Sequence, residues 1–228
     1  MPEKRSVAAA PPPRGARKRA LLTVERLREV YPASCELDHR GPFQLLVATI
    51  LSAQTTDRRV NEVTPRLFAA YPTPAALAGA DPVDVEELIK ATGFFRAKTR
   101  AIISCARALV DRFGGDVPGR MEDLVTLPGI GRKTANVILG VGLGVPGFAV
   151  DTHVIRLSNR LRIAGSRDPV RIEQQVCALV PRREWTDLSL RLILHGRRVC
   201  VARRPRCEEC VLNDFCPSSL VRPRTRAR

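Results

Sequence analysis

Leu127-Pro128-Gly129-Ile130-Gly131-Arg132-Lys133-Thr134-Ala135-Asn136 is the stretch whose reading decides the fold. A short amphipathic run, Met121 to Leu127, leads into a turn punctuated by Pro128, Gly129 and Gly131, and a second helical run, Lys133 to Leu143, leads out. Two glycines beside a new helix start leave backbone N–H groups uncovered, and the helix dipole adds partial positive charge there. That is a seat for a phosphate. The pattern is that of a helix-hairpin-helix DNA-binding element, although an ordinary αα-turn has the same local outline. Lys133 falls within one turn of the seated backbone, flanked by Arg132 and Thr134.

Working outward, the rest of the chain reads as helix. Helices are predicted from Lys18 to Tyr31, Pro42 to Thr55, Asp57 to Tyr71 with Asp57 as cap, and Arg96 to Phe113. Thr73-Pro74 and Asp81-Pro82 each open a short helix with proline at its first position. Asp151 is a natural N-cap for Thr152 to Leu161, and Asp168 to Val180 and Arg183 to Arg198 follow. No stretch sustains the period-2 alternation of a strand, so ten or eleven helices and an all-α fold are expected.

The 228 residues allow one or two domains, and 44% hydrophobic content excludes a disordered chain. No apolar run approaches the roughly 20 residues a membrane span needs, and nothing resembles a secretory signal, so a cytoplasmic protein is expected. The formal charge of +15 points to a polyanion, most simply nucleic acid. Lys4, Arg5, Arg14, Arg17, Lys18 and Arg19 against Glu3 give the first 20 residues a net +5, and Arg222, Arg224, Arg226 and Arg228 add +4 at the other end. Such tails serve either solubility or salt-sensitive DNA affinity.

Four of seven cysteines crowd into Cys200-x6-Cys207-x2-Cys210-x5-Cys216. Four thiolates at that spacing can converge on one centre, either zinc or an iron–sulfur cluster. Pinning both ends of the first loop would present Arg203, Arg204 and Arg206 outward as a second phosphate-binding surface. Cys35, Cys105 and Cys177 read as buried free thiols.

Lys133 and Asp151 stand eighteen residues apart. A neutral lysine amine can attack a sugar C1′ and form a Schiff base, and burial beside Arg132 would favour the neutral form. A carboxylate could steady an oxocarbenium-like centre or deprotonate that amine.

With the hairpin, Leu51-Ser52-Ala53-Gln54-Thr55-Thr56-Asp57, Ala149-Val150-Asp151-Thr152-His153, Ile193-Leu194-His195-Gly196-Arg197 and the cysteine spacing in hand, the chain resembles the endonuclease III family of helix-hairpin-helix DNA glycosylases over residues 20–217. The resemblance implies Lys133 as nucleophile, Asp151 as its catalytic partner, and a [4Fe–4S] cluster on Cys200, Cys207, Cys210 and Cys216. It implies double-stranded DNA as partner, a monomer associated with the nucleoid, and oxidised pyrimidines as the bases flipped out and removed. Gln54 matches the residue that fills the gap left by the flipped base. Phe94 stands where the family often has an aliphatic wedge, and Gly129, Gly131, Arg132, Thr134 and His153 fall on the DNA side.

The implied architecture has a basic tail over 1–17, an N-terminal helix over 18–35 belonging to the cluster domain, a six-helix domain over 36–145, a cluster domain over 146–217, and a basic tail over 218–228. DNA is expected in the groove between the two domains.

An adenine-type glycosylase shares the cysteines and hairpin, but it lacks the hairpin lysine and needs a carboxylate where Thr49 stands. A non-catalytic DNA-binding module is disfavoured by the joint presence of Lys133 and Asp151. An electron-transfer protein accounts for the cysteines and leaves the hairpin unexplained.

Overall fold

The computed structural model describes residues 11–221, and among them there is helix, turn and loop but no strand. Of the two basic tails, residues 1–10 and 222–228 lie outside the described residues. No helix among the described residues is long and apolar enough to cross a membrane. The chain divides into two compact units, one from the N-terminal segment through Ser34 together with Phe148 onward, the other Cys35–Gly147.

The Cys35–Gly147 unit is built around α2 (Pro42–Leu51), whose residues 45–51 are all buried. A helix apolar on every face belongs at the centre of a core. Around it lie α3 (Asp57–Ala70), α4 (Pro74–Ala78), α5 (Pro82–Ile89), α6 (Phe95–Phe113), α7 (Met121–Leu124) and α8 (Arg132–Val137). Their starts follow from capping chemistry, since Thr73 accepts from Ala76 N and Asp81 from Val83 N, each just ahead of a proline.

Three sequence expectations change here. α2 stops at Leu51 rather than Thr55, because the Ser52–Gln54 segment turns and Gln54 adopts a left-handed φ of 54°. The cap of α3 is the Thr56 hydroxyl, which accepts from Arg59 N, and Asp57 is the first helical residue, where its charge suits the dipole. The hairpin's second helix is not one α-helix to Leu143. After Val137 it widens into a π-turn over Ile138–Gly142, with Leu143 N donating to Ile138 O at 3.1 Å. The widening brings Gly142 against α2, where a side chain would press Leu45 and Pro42.

The second unit packs α1 (Ala16–Val30), which starts two residues ahead of the expected Lys18, with α9 (Thr152–Arg160), α10 (Pro169–Cys177) and α11 (Trp185–Arg198). Ala20, Leu27, Phe148, Val154, Leu157, Ile172, Leu188 and Leu192 form its core. Cys105, in the other unit, is the fully buried free thiol, pushed up to about 12 by burial, whereas Cys35 and Cys177 are only half-buried.

Candidate nucleic-acid interface and metal centre

The hairpin turn is anchored from below by two apolar side chains. Leu127 and Ile130 are 3% and 5% exposed, and Ile130 N donates to Leu127 O at 3.1 Å. Gly129 takes φ +81°, and a β-carbon there would lie 3.5 Å from Ala101 and Ile50. Gly131 caps α8 without a side-chain bond, and a β-carbon there would meet nothing within 4 Å. The outer face of the turn is therefore open backbone at a helix start. Arg132 and Lys133 are exposed and Thr134 is half-buried. The burial expected at Lys133 is absent, since its side chain is exposed.

Asp151 sits in the other unit, as the cap of α9, accepting from Val154 N at 2.8 Å. Buried Ser189 fixes the approach to it, donating to Ala149 O at 2.7 Å. His153 Nδ1 lies 3.1 Å from an Arg156 guanidinium nitrogen. Gly196 lets α9 and α11 meet, since a β-carbon at that position would fall 2.8 Å from the His153 Cβ.

Gln54 and Phe94 are both exposed, on two neighbouring turns of the same unit, and both hold positive φ, 54° and 47°. Non-glycine residues in this region mark a turn held by its surroundings. The turns are linked, because Thr55 Oγ1 donates to Thr92 O and accepts from Lys98 Nζ at 2.7 Å.

Cys200, Cys207, Cys210 and Cys216 line one hollow. Burial pushes the Cys210 thiol up to about 11, with Cys200, Cys216 and Cys207 adding to the effect, and burial raises Cys216 in the same way. A cavity lined by four sulfurs, where burial and sulfur neighbours raise Cys210 and Cys216, is what a thiolate-bound cation relieves, so the donor set fits a metal cluster. Among the described residues no three ligating side chains gather as a single ion requires. A four-iron cluster takes each sulfur on its own iron, which spreads the ligands.

Sequence reasoning missed the residues that brace this loop. Arg160 donates to Cys200 Sγ at 3.2 Å, to Val201 O at 2.8 Å and to Ala202 O at 2.9 Å. Arg156 donates to Gly196 O at 2.9 Å and to Cys200 O at 3.0 Å. Their i,i+4 spacing on α9 was the available signal. His195, buried and held well below the usual range at about 4 by desolvation, joins Tyr31 OH at 3.1 Å to Cys210 Sγ at 3.3 Å. Arg203 and Arg204 are exposed; Arg206, also exposed, pairs with Glu209 at 3.2 Å and donates to Arg198 O.

Residues 47–182 match the HhH-GPD superfamily base excision DNA repair protein family, and residues 200–216 match the iron-sulfur binding domain of endonuclease III. The chain is 52% identical to endonuclease III of Synechocystis sp. over 205 residues, 89% of this chain and 94% of that protein. It is 41% identical to endonuclease III of Escherichia coli K12 over 202 residues, 88% of this chain and 95% of that protein. A non-covalent endonuclease III–DNA complex superposes with a TM-score of 0.83 at 39% identity, covering 89% of this chain and 96% of that one. The chain belongs to the endonuclease III family: it is a base-excision DNA glycosylase with abasic-site lyase activity and a [4Fe–4S] cluster.

Proposed function

We propose that Lys133 is the nucleophile and Asp151 its partner in removing oxidised pyrimidines from duplex DNA. The supporting observation is the placement of Lys133 itself, exposed on the first turn of α8 immediately after the open backbone of Gly131. Gly129, Gly131, Arg132 and Thr134 hold the phosphates flanking the lesion, while His153 makes a backbone contact and Arg203, Arg204 and Arg206 face the strand farther along. Gln54 fills the space left by the flipped base and Phe94 wedges against the orphaned partner strand.

The Lys133 amine bonds to C1′, the glycosidic bond breaks, and the base leaves with the proton that Asp151 takes from the lysine. Asp151 takes the proton released by the amine and offsets the charge developing on the sugar. The opened sugar is then held to Lys133 as an iminium. Loss of a C2′ proton expels the 3′ phosphate and nicks the strand, and water frees the lysine. A solved relative of 40% identity is a trapped endonuclease III–DNA covalent intermediate, in keeping with such a bond. The cluster residues Cys200, Cys207, Cys210 and Cys216 hold the arginine loop in shape, and the basic tails keep the protein on the nucleoid.

Incubation with duplex containing thymine glycol, in the presence of borohydride, tests the assignment. A covalent adduct forms with the native protein and disappears in Lys133→Ala; an undiminished adduct in that variant overturns it. Asp151→Asn slows base removal by about 10²-fold or more, while leaving affinity for the duplex within a few-fold.

A further inference from the structure

Lys98 is a buried charge that the reaction leaves unused. On α6 it is only 5% exposed, and its ammonium donates to Thr55 Oγ1 at 2.7 Å and to Thr92 O at 2.8 Å. No carboxylate pairs with it among the described residues, and desolvation alone lowers it from the ordinary lysine range. Hiding an ammonium without a counter-charge is unfavourable, and an apolar side chain of equal length would fill the same space at less cost. Its presence is therefore better explained by what it holds than by stability.

What it holds is a pair of turns. Thr55 directly follows Gln54, and Thr92 lies two residues before Phe94. The Thr55 hydroxyl completes a triangle by donating to the same Thr92 carbonyl, at 2.5 Å. The backbone N–H of Lys98 also donates to Phe94 O, at 3.1 Å. One residue thus grips both turns, with its main chain and its side chain. Each tip carries a non-glycine residue at positive φ, a conformation that persists only where its surroundings impose it.

We propose that Lys98 is the positioning residue of a two-pronged duplex probe, tying the Gln54 turn to the Phe94 turn so that both tips enter the DNA as one rigid piece. The inference rests on the reading of Gln54 and Phe94 as the residues that enter the duplex. A rigid pair pre-sets the separation of the two tips, so the ordering cost of inserting them is met on folding rather than on binding.

Lys98→Met keeps the chain length and removes the donors, and Thr92 O retains the Thr55 hydroxyl. The variant is expected to melt at or above the native temperature and to bind undamaged duplex as the native protein does. Single-turnover excision of thymine glycol falls about tenfold or more. The fluorescence rise of 2-aminopurine placed opposite the lesion shrinks with it. In a Gln54→Ala/Phe94→Ala background the same change costs less than about twofold, because the tips it positions are gone. Thr55→Val opens the triangle from the other side, taking one of the two acceptors from the ammonium while Thr92 O still holds it, and shrinks the 2-aminopurine signal.

A full tenfold loss surviving in the double-alanine background overturns the role of Lys98 while leaving the probes in place. A native signal in Thr55→Val does the same. Gln54→Ala and Phe94→Ala variants that excise at the native rate remove the probe reading, and the inference falls with it.

Discussion

The hairpin turn and the cysteine loop both present cations and open backbone to the outside, yet they are held by opposite means. The hairpin is fixed from beneath by Leu127 and Ile130, with Gly129 packed on Ile50 and Ala101. The cysteine loop packs on apolar residues only at its two ends, at Cys200 and from Cys210 through buried Leu212 to Cys216, while Val201 to Glu209 between them is exposed or half-buried, with one turn of 3₁₀-helix at Cys207–Glu209. Guanidinium groups from α9 bond the carbonyls of Cys200, Val201 and Ala202 at its start, and four thiols line the hollow beneath it. Apolar packing is local and present from the moment the unit folds. A charged frame around four thiols is complete only with its metal.

The two supports therefore break differently. Loss of the cluster is the largest perturbation. Cys210→Ser, or oxidative stripping of the iron, is expected to raise hydrogen exchange through residues 199–221 while the amides of 35–147 keep their protection, and to weaken duplex binding by about tenfold or more. Equal deprotection of both regions would show that the hairpin depends on the metal and would end the distinction. Gly129→Ala strikes the other support. At φ +81° an alanine is strained by about 1–2 kcal/mol, read as a lowered denaturation midpoint. Gly131→Ala costs less, because its φ of −94° suits any residue, but its methyl group stands on the open face. Weaker duplex binding with a smaller stability loss is expected there, the reverse of the balance at Gly129.

How much of this was legible in the sequence follows the same division. The hairpin could be read because its anchors, glycines and lysine lie within ten consecutive residues. The helix starts at Thr73-Pro74, Asp81-Pro82, Asp151 and Asp168-Pro169 were legible for the same reason, a cap bonding two or three residues on. Where two capping types stand together the pattern misleads, and Thr56 rather than Asp57 caps α3. The π-turn at Ile138–Gly142 answers to Leu45 and Pro42, nearly a hundred residues earlier, and no helical period encodes that. Lys98, Arg156 and Arg160 were passed over as site residues because their partners are largely carbonyls, and the i,i+4 spacing of the two arginines does not say which carbonyls they meet. A carbonyl belongs to every residue and leaves no mark in the sequence.

The smallest expected effect concerns the three arginines of the cysteine loop, which the spacing alone presented as equivalent. Arg203 and Arg204 are exposed, and Arg204 holds a left-handed φ of 54° that turns the loop at its tip. Arg206 instead bonds inward to Arg198 O and pairs with Glu209. If Arg203 and Arg204 each neutralise one phosphate, replacing both by alanine lowers the slope of log affinity against log salt by about 2. Arg206→Ala removes an internal brace, so the slope changes little while the cluster's visible absorption is lost faster on incubation. A slope change at Arg206 as large as at either neighbour would make it a phosphate contact. The loop would then be braced by α9 and the metal alone, and its contrast with the hairpin would be sharper.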